Sequence, residues 1–155
     1  MKLNFNRGSP RWIDASEIQI RDEQLKRAAL NGGFRFKVKP LSSVEQARAV
    51  GHGLKLCEPE PSSAEMAMAF AVERFVNAVE EWEGFDGDDD KPLPCTPENR
   101  RAFAMTFMDE VMQVATKITE TQAAASAAMK DELGNSERSG PSAQTGHSKR
   151  AAKRA

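Results

Sequence analysis

The chain contains no tyrosine, two tryptophans and eight phenylalanines, so only 6% of it is aromatic. A core must therefore be built from Phe, Met, Leu, Val and Ala, and in 155 residues that core is modest. Only two cysteines occur, Cys57 and Cys95, with no CxxC spacing. Such usage excludes a disulfide framework and fits a reducing compartment. Histidine is equally scarce. His52 stands between glycines and His147 lies in a polar tail, neither with a partner at metal-ligand spacing. No apolar run approaches the roughly eighteen residues of a membrane span. The opening MKLNFNRGSPRW has no apolar h-region, so no signal peptide is expected. The expected location is the cytoplasm of the cell that makes the protein.

Formal net charge is −1, which gives no whole-chain reason to expect nucleic acid or membrane as a partner. The charge is unevenly spread. Eight acids and one base between Glu80 and Glu98 give that segment −7, whereas five bases and one acid from Asn135 onward give the tail +4.

Along the chain, residues 1–12 read as a flexible arm with Gly8 and Pro10. Asp14-Ala15-Ser16-Glu17 has a capping-box pattern, yet Glu17-Ile18-Gln19-Ile20 alternates as a short strand does; periodicity leaves both open. Arg21 to Leu30 is rich in helix formers and stops at Asn31-Gly32-Gly33. Phe34 to Lys39 alternates apolar and basic residues and ends at Pro40, the clearest strand in the chain. Its expected partner is Glu17 to Ile20, giving a small two-stranded sheet. Ser42-Ser43-Val44-Glu45 opens a short helix expected to end near Val50, before Gly51 and Gly53, and Leu54 to Pro61 reads as a linker.

Ser62-Ser63-Ala64-Glu65 caps a further helix. Met68, Val72, Phe75, Val79 and Trp82 recur at spacings of four and three, which predicts one apolar stripe reaching Trp82. Thr96-Pro97-Glu98 launches the next helix, with a capping threonine, proline at the first position and an acid in the first turn. Phe103, Phe107, Val111, Val114 and Ile118 give its stripe, flanked by Met105, Met108 and Met112, and it is expected to run to Leu133. Residues 134–155 lack anything to bury and read as a disordered basic tail. The fold expected is α+β and mainly α, in one small domain over 13–133: a strand–helix part over 13–53 and a helical part over 62–133, in which the helices on either side of the acidic turn form a helical hairpin with facing apolar stripes.

Few motifs carry chemistry. Asp86-Gly87-Asp88-Asp89-Asp90 resembles a calcium loop, but Lys91 stands where the loop needs Gly and Pro97 where it needs a bidentate Glu. A solvated acidic turn is the simpler reading. His52 and Cys57 have no feature that places them together, and no nucleophile elbow or phosphate-cradling loop is present. No catalytic residue, metal or cofactor is expected. The basic tail has no aromatics to stack on bases, so a solubilising role outweighs nucleic-acid binding. The Arg35, Lys37 and Lys39 face of the strand reads as solvated. The methionine face at Met105, Met108 and Met112 reads first as core. Methionine is adaptable, though, and such a face also suits docking of apolar helices.

One stretch points further. Val79-Glu80-Glu81-Trp82-Glu83-Gly84-Phe85-Asp86, followed by Lys91-Pro92-Leu93-Pro94-Cys95-Thr96-Pro97-Glu98-Asn99, resembles a signature of tail assembly chaperones of long-tailed bacteriophages. In that family a helix ends in Trp-x-Gly. An acidic turn with glycine follows, then Pro-Leu-Pro, an aromatic, and a Thr/Ser-x-Glu-Asn helix start. The Phe34 to Ser42 strand leading into a capped helix is also similar to the opening of these proteins, and the likeness covers roughly residues 30–118. Asp90 stands where the family has the turn glycine, and Cys95 where an aromatic is common.

The resemblance implies a non-enzymatic chaperone that binds the tape measure protein, and with it the tail tube protein, in the host cytoplasm. Trp82, Phe103, Met105, Phe107, Met108 and Met112 are the candidate partner-binding residues. Two further readings belong to other classes: a minor tail protein retained in the virion, and a small nucleic-acid-binding regulator using the basic tail. Self-association is compatible with all three.

Overall fold

The computed structural model describes residues 10–138. The architecture is α+β and mainly α: five helices and a three-stranded antiparallel sheet, with α3 at the centre of the helix packing. The strands are β1 (Arg11–Asp14), β2 (Arg35–Val38) and β3 (Val79–Glu83), in the order β1-β2-β3. The helices are α1 (Glu23–Leu30), α2 (Ser43–Leu56), α3 (Ser63–Ala78), α4 (Pro97–Thr106) and α5 (Met108–Arg138).

Strand β2 forms as its alternation predicts. Phe36 and Val38 are buried, whereas Arg35 and Lys37 face outward. Its partners differ from expectation. The expected two-stranded sheet has three strands, and the first pairing is with Arg11–Asp14, in the register Ile13 opposite Phe36. Arg11 and Trp12 thus belong to the sheet and not to a flexible arm. The Ile18–Arg21 stretch docks against α5 instead. Gln19 N–H donates to Gln113 Oε1 at 2.7 Å, and Gln113 Nε2 donates to Gln19 O at 2.6 Å. A side-chain amide offers one donor and one acceptor, as a neighbouring strand does, so it satisfies the extended backbone.

The helix expected to reach Trp82 ends at Ala78, and Val79–Glu83 is the third strand. The register explains the misreading. Val38 lies opposite Val79 and Lys37 opposite Glu81, so Glu80 is an extra residue in a bulge. The bulge lets Val79 and Trp82 both face the core although three residues apart, a spacing that looks helical.

Ser42 and Ser62 cap α2 and α3 by accepting from Glu45 N–H and Glu65 N–H at 3.1 and 3.2 Å. Helix α2 does not stop near Val50 but continues to Leu56, taking in the first part of the expected linker. Gly53 permits this from inside the helix. A Cβ there would stand 2.6 Å from Phe70 Cδ1, so the missing side chain is what lets α3 approach.

The single helix expected from Pro97 to Leu133 is broken at Phe107, whose φ of −116° and ψ of 55° lie outside the helical region. Thr106 Oγ1 donates back to Ala102 O at 2.7 Å in the last turn of α4. After the break α5 runs through residue 134, where the basic tail was expected to begin, as far as Arg138. The remainder of that tail lies outside the described residues.

The scarce aromatics converge. Phe34, Phe36, Phe75, Phe85, Phe103 and Trp82 form one cluster with ring centroids 4.9 to 5.7 Å apart. Each edge-to-face or stacked pair contributes about 0.5–1.5 kcal/mol beyond burial. Phe75 of α3 stacks on Phe103 of α4, so the two amphipathic segments meet through their apolar faces.

Candidate functional site

Trp82, Gly84, Pro92, Leu93, Pro94, Thr96 and Asn99 build one corner of the molecule. Trp82 is 8% exposed, and its Nε1–H donates to Leu93 O at 2.7 Å. Gly84 has φ +93°, and a Cβ on it would stand 2.2 Å from Gly33 O and 2.8 Å from Phe34 Cα. Only glycine fits there. The acidic segment then folds into a tight hairpin. Leu93 N–H donates to Phe85 O, Gly87 N–H to Lys91 O, and Asp90 N–H to Gly87 O. Asp90 adopts φ +58°, the left-handed conformation that ends a three-residue hairpin loop. Asn99 Nδ2 donates to Pro94 O at 2.9 Å, and Thr96 Oγ1 accepts from Asn99 N–H at 3.1 Å. The motif residues are therefore structural: they fix where α4 begins relative to the sheet.

Beside this corner lies a groove of about 340 Å3, lined by Gln24, Leu25, Ala28 and Asn31 of α1, by Gly84, Phe85, Asp86 and Leu93, and by Phe103 and Phe107. Its apolar floor is the outer edge of the aromatic cluster, since Phe85 and Phe103 belong to both and Phe107 packs on Phe103 at 4.8 Å. A second depression, lined by Arg21, Asp22, Thr106, Phe107, Met108, Asp109 and Glu110, shares Phe107 and continues the surface. Glu110 is buried, and its Oε1 accepts from Arg21 and Asp22 N–H at 2.8 and 2.9 Å, which ties the start of α5 to the start of α1.

The six candidate residues separate in space. Phe103 and Phe107 line the groove, and Met108 lines the depression that continues it. Trp82 is buried behind them as a support. Met105 is 64% exposed and lines neither hollow, and Met112 is half-buried on α5. The three methionines would share one face only in an unbroken helix, and the break at Phe107 divides them. Leu25, Ala28, Phe85 and Leu93 complete the floor. Sequence periodicity does not select them, because α1 reaches the site only through tertiary packing.

Several charged groups outside the groove are paired. On the outer face of the sheet Arg35 Nε lies 2.7 Å from Glu83 and its Cζ 4.0 Å from the centre of the Trp12 ring, and Lys37 lies 3.9 Å from Glu81; beyond the strand Lys39 lies 3.2 Å from Glu45 of α2. Glu73, 1% exposed, is held by Arg101 at 2.5 and 3.3 Å, with His52 Nδ1 at 3.7 Å. His52 thus faces Glu73, whereas Cys57 Sγ donates to Gly53 O, so the two are engaged separately. Burial pushes the Cys95 thiol above its ordinary value, against the pull of Arg100. A protonated thiol is a poor nucleophile. Among the described residues no group of His, Cys, Asp or Glu side chains is arranged to hold a metal ion, and no helix is long and apolar enough to cross a membrane.

A further apolar surface lies on α2, where Val50 and Leu54, one turn apart, are both about half exposed. The chain matches no protein-family model, no curated protein and no solved structure.

Proposed function

We propose that the protein is a non-enzymatic tail assembly chaperone of a long-tailed bacteriophage, holding the tape measure protein through the groove at Phe103 and Phe107. One observation carries the reading. The residues that resemble the family signature build a single corner, through the Trp82–Leu93 and Asn99–Pro94 bonds and Gly84, and an apolar groove opens beside it. A tape measure protein is long and helical with apolar stripes, and it aggregates unless those stripes are covered. Apolar side chains seated in a groove lose water contact without the chaperone unfolding, and a small surface holds reversibly. The chaperone is released as the tail tube protein polymerises around its client in the host cytoplasm.

Co-expression with the tape measure protein of the same phage tests the proposal. The full chain should raise the soluble yield of the client several-fold, and Phe107→Asp should abolish the effect. An unchanged yield contradicts the reading. Mass spectrometry of purified particles separates it from a structural role, because a chaperone is absent or in trace amounts and a retained tail component is stoichiometric.

A further inference from the structure

We infer, building on the reading above, that the groove takes an amphipathic helix whose apolar stripe is flanked by lysine or arginine. The floor is apolar and elongated, running from Leu93 and Phe85 past Phe103 to Phe107. A volume of about 340 Å3 accepts a few side chains and not a whole helix. That is the helix-in-groove mode, read as anchors at i, i+3 or i+4, and i+7. Both ends are acidic. Asp86 lines one end, with Asp88, Asp89 and Asp90 on the same hairpin; Asp22, Asp109 and Glu110 line the depression at the other. Two bases stand nearby: Arg21 lines that depression and Lys91 ends the hairpin.

The acids at the groove differ from those on the sheet. Glu81 and Glu83 on the sheet each have a basic partner. Among the described residues Asp86, Asp88, Asp89, Asp90 and Asp109 take part in no ion pair. A helix entering the groove therefore meets negative potential at both ends, which favours flanking cations and repels flanking acids. The chain's own basic tail supplies Lys149, Arg150, Lys153 and Arg154 but no large apolar side chain to fill the floor. A partner helix carrying both features fits better.

Fluorescence anisotropy with the full chain and three labelled peptides of about eighteen residues, roughly 27 Å as helix, tests this. The first has leucines at three-and-four spacing with lysine on the flanks, the second has glutamate in place of lysine, and the third scrambles the first so that no stripe forms. The lysine-flanked stripe should bind at least about tenfold more tightly than either of the others at low salt, and its lead over the glutamate twin should shrink at about 0.5 M salt. Phe107→Ala should weaken it about tenfold. The pair Asp86→Asn and Asp109→Asn should erase the lysine-over-glutamate preference while the chain stays folded by circular dichroism, with only the small loss expected for an acid in the first turn of α5. Equal binding of all three peptides, or indifference to both variants, overturns the inference. Peptide discrimination without any gain in tape measure solubility upholds the groove and removes the tail-assembly reading; the opposite pattern removes the groove as the holding site and keeps only the chaperone role.

Discussion

Asp90 and Gly84 show how single positions set the corner. Asp90 occupies a left-handed conformation, which costs an ordinary residue about 1–2 kcal/mol and costs aspartate less. Glycine would hold the same turn without that strain. Asp90→Gly should stabilise the protein by about 0.5 kcal/mol in urea denaturation, after the entropy of glycine offsets part of the gain. Gly84→Ala should cost about 3 kcal/mol or more, since positive φ and a backbone clash act together. The buried Glu73 gives a second prediction at this scale. Arg101→Met leaves its carboxylate with His52 alone. The expected loss is about 2 kcal/mol, below the usual 3–5 for breaking a buried pair because Arg101 itself is 42% exposed. Adding Glu73→Leu should recover most of that loss. Gly84 as a break and Thr96 as a helix start were legible in the sequence, whereas Trp82 was expected on a helix and lies on β3. Glu73 was not, because nothing in a sequence tells which acid on an amphipathic helix turns inward to meet an arginine 28 residues away.

At the scale of elements, caps and alternation were readable and spacing misled. Ser42, Ser62 and Thr96 start helices where their side chains predict, because capping is a local hydrogen bond between near neighbours. Val79 and Trp82 looked helical because a bulge at Glu80 reproduces a three-residue step, and a bulge is fixed by pairing with a distant strand. The kink at Phe107 carries no proline or glycine to announce it. Glycine in α2 was read as a stop, yet its two glycines differ in kind. Gly51 faces open space, whereas Gly53 receives Phe70. Gly51→Ala should raise stability by about 0.5–1 kcal/mol and Gly53→Ala should lower it, both read from thermal or urea unfolding.

For the whole molecule, few aromatics and a small core are reconciled by concentrating both in one place. Six of the eight phenylalanines lie in or against a single cluster, and its outer edge is the floor of the groove. Core and candidate site are thus continuous, and the floor is held rigidly by the same packing that stabilises the fold. Two of the six residues expected to bind a partner, Phe103 and Phe107, line that floor. The rest of it comes from α1 and the acidic hairpin, which only the folded chain brings together. Amide hydrogen exchange of the full chain, alone and with purified tape measure protein, tests the central claim most directly. Protection should appear over Gln24–Asn31 and over 103–110 and leave α2 unchanged; protection confined to α2 and the start of α3, or none anywhere, would contradict the account.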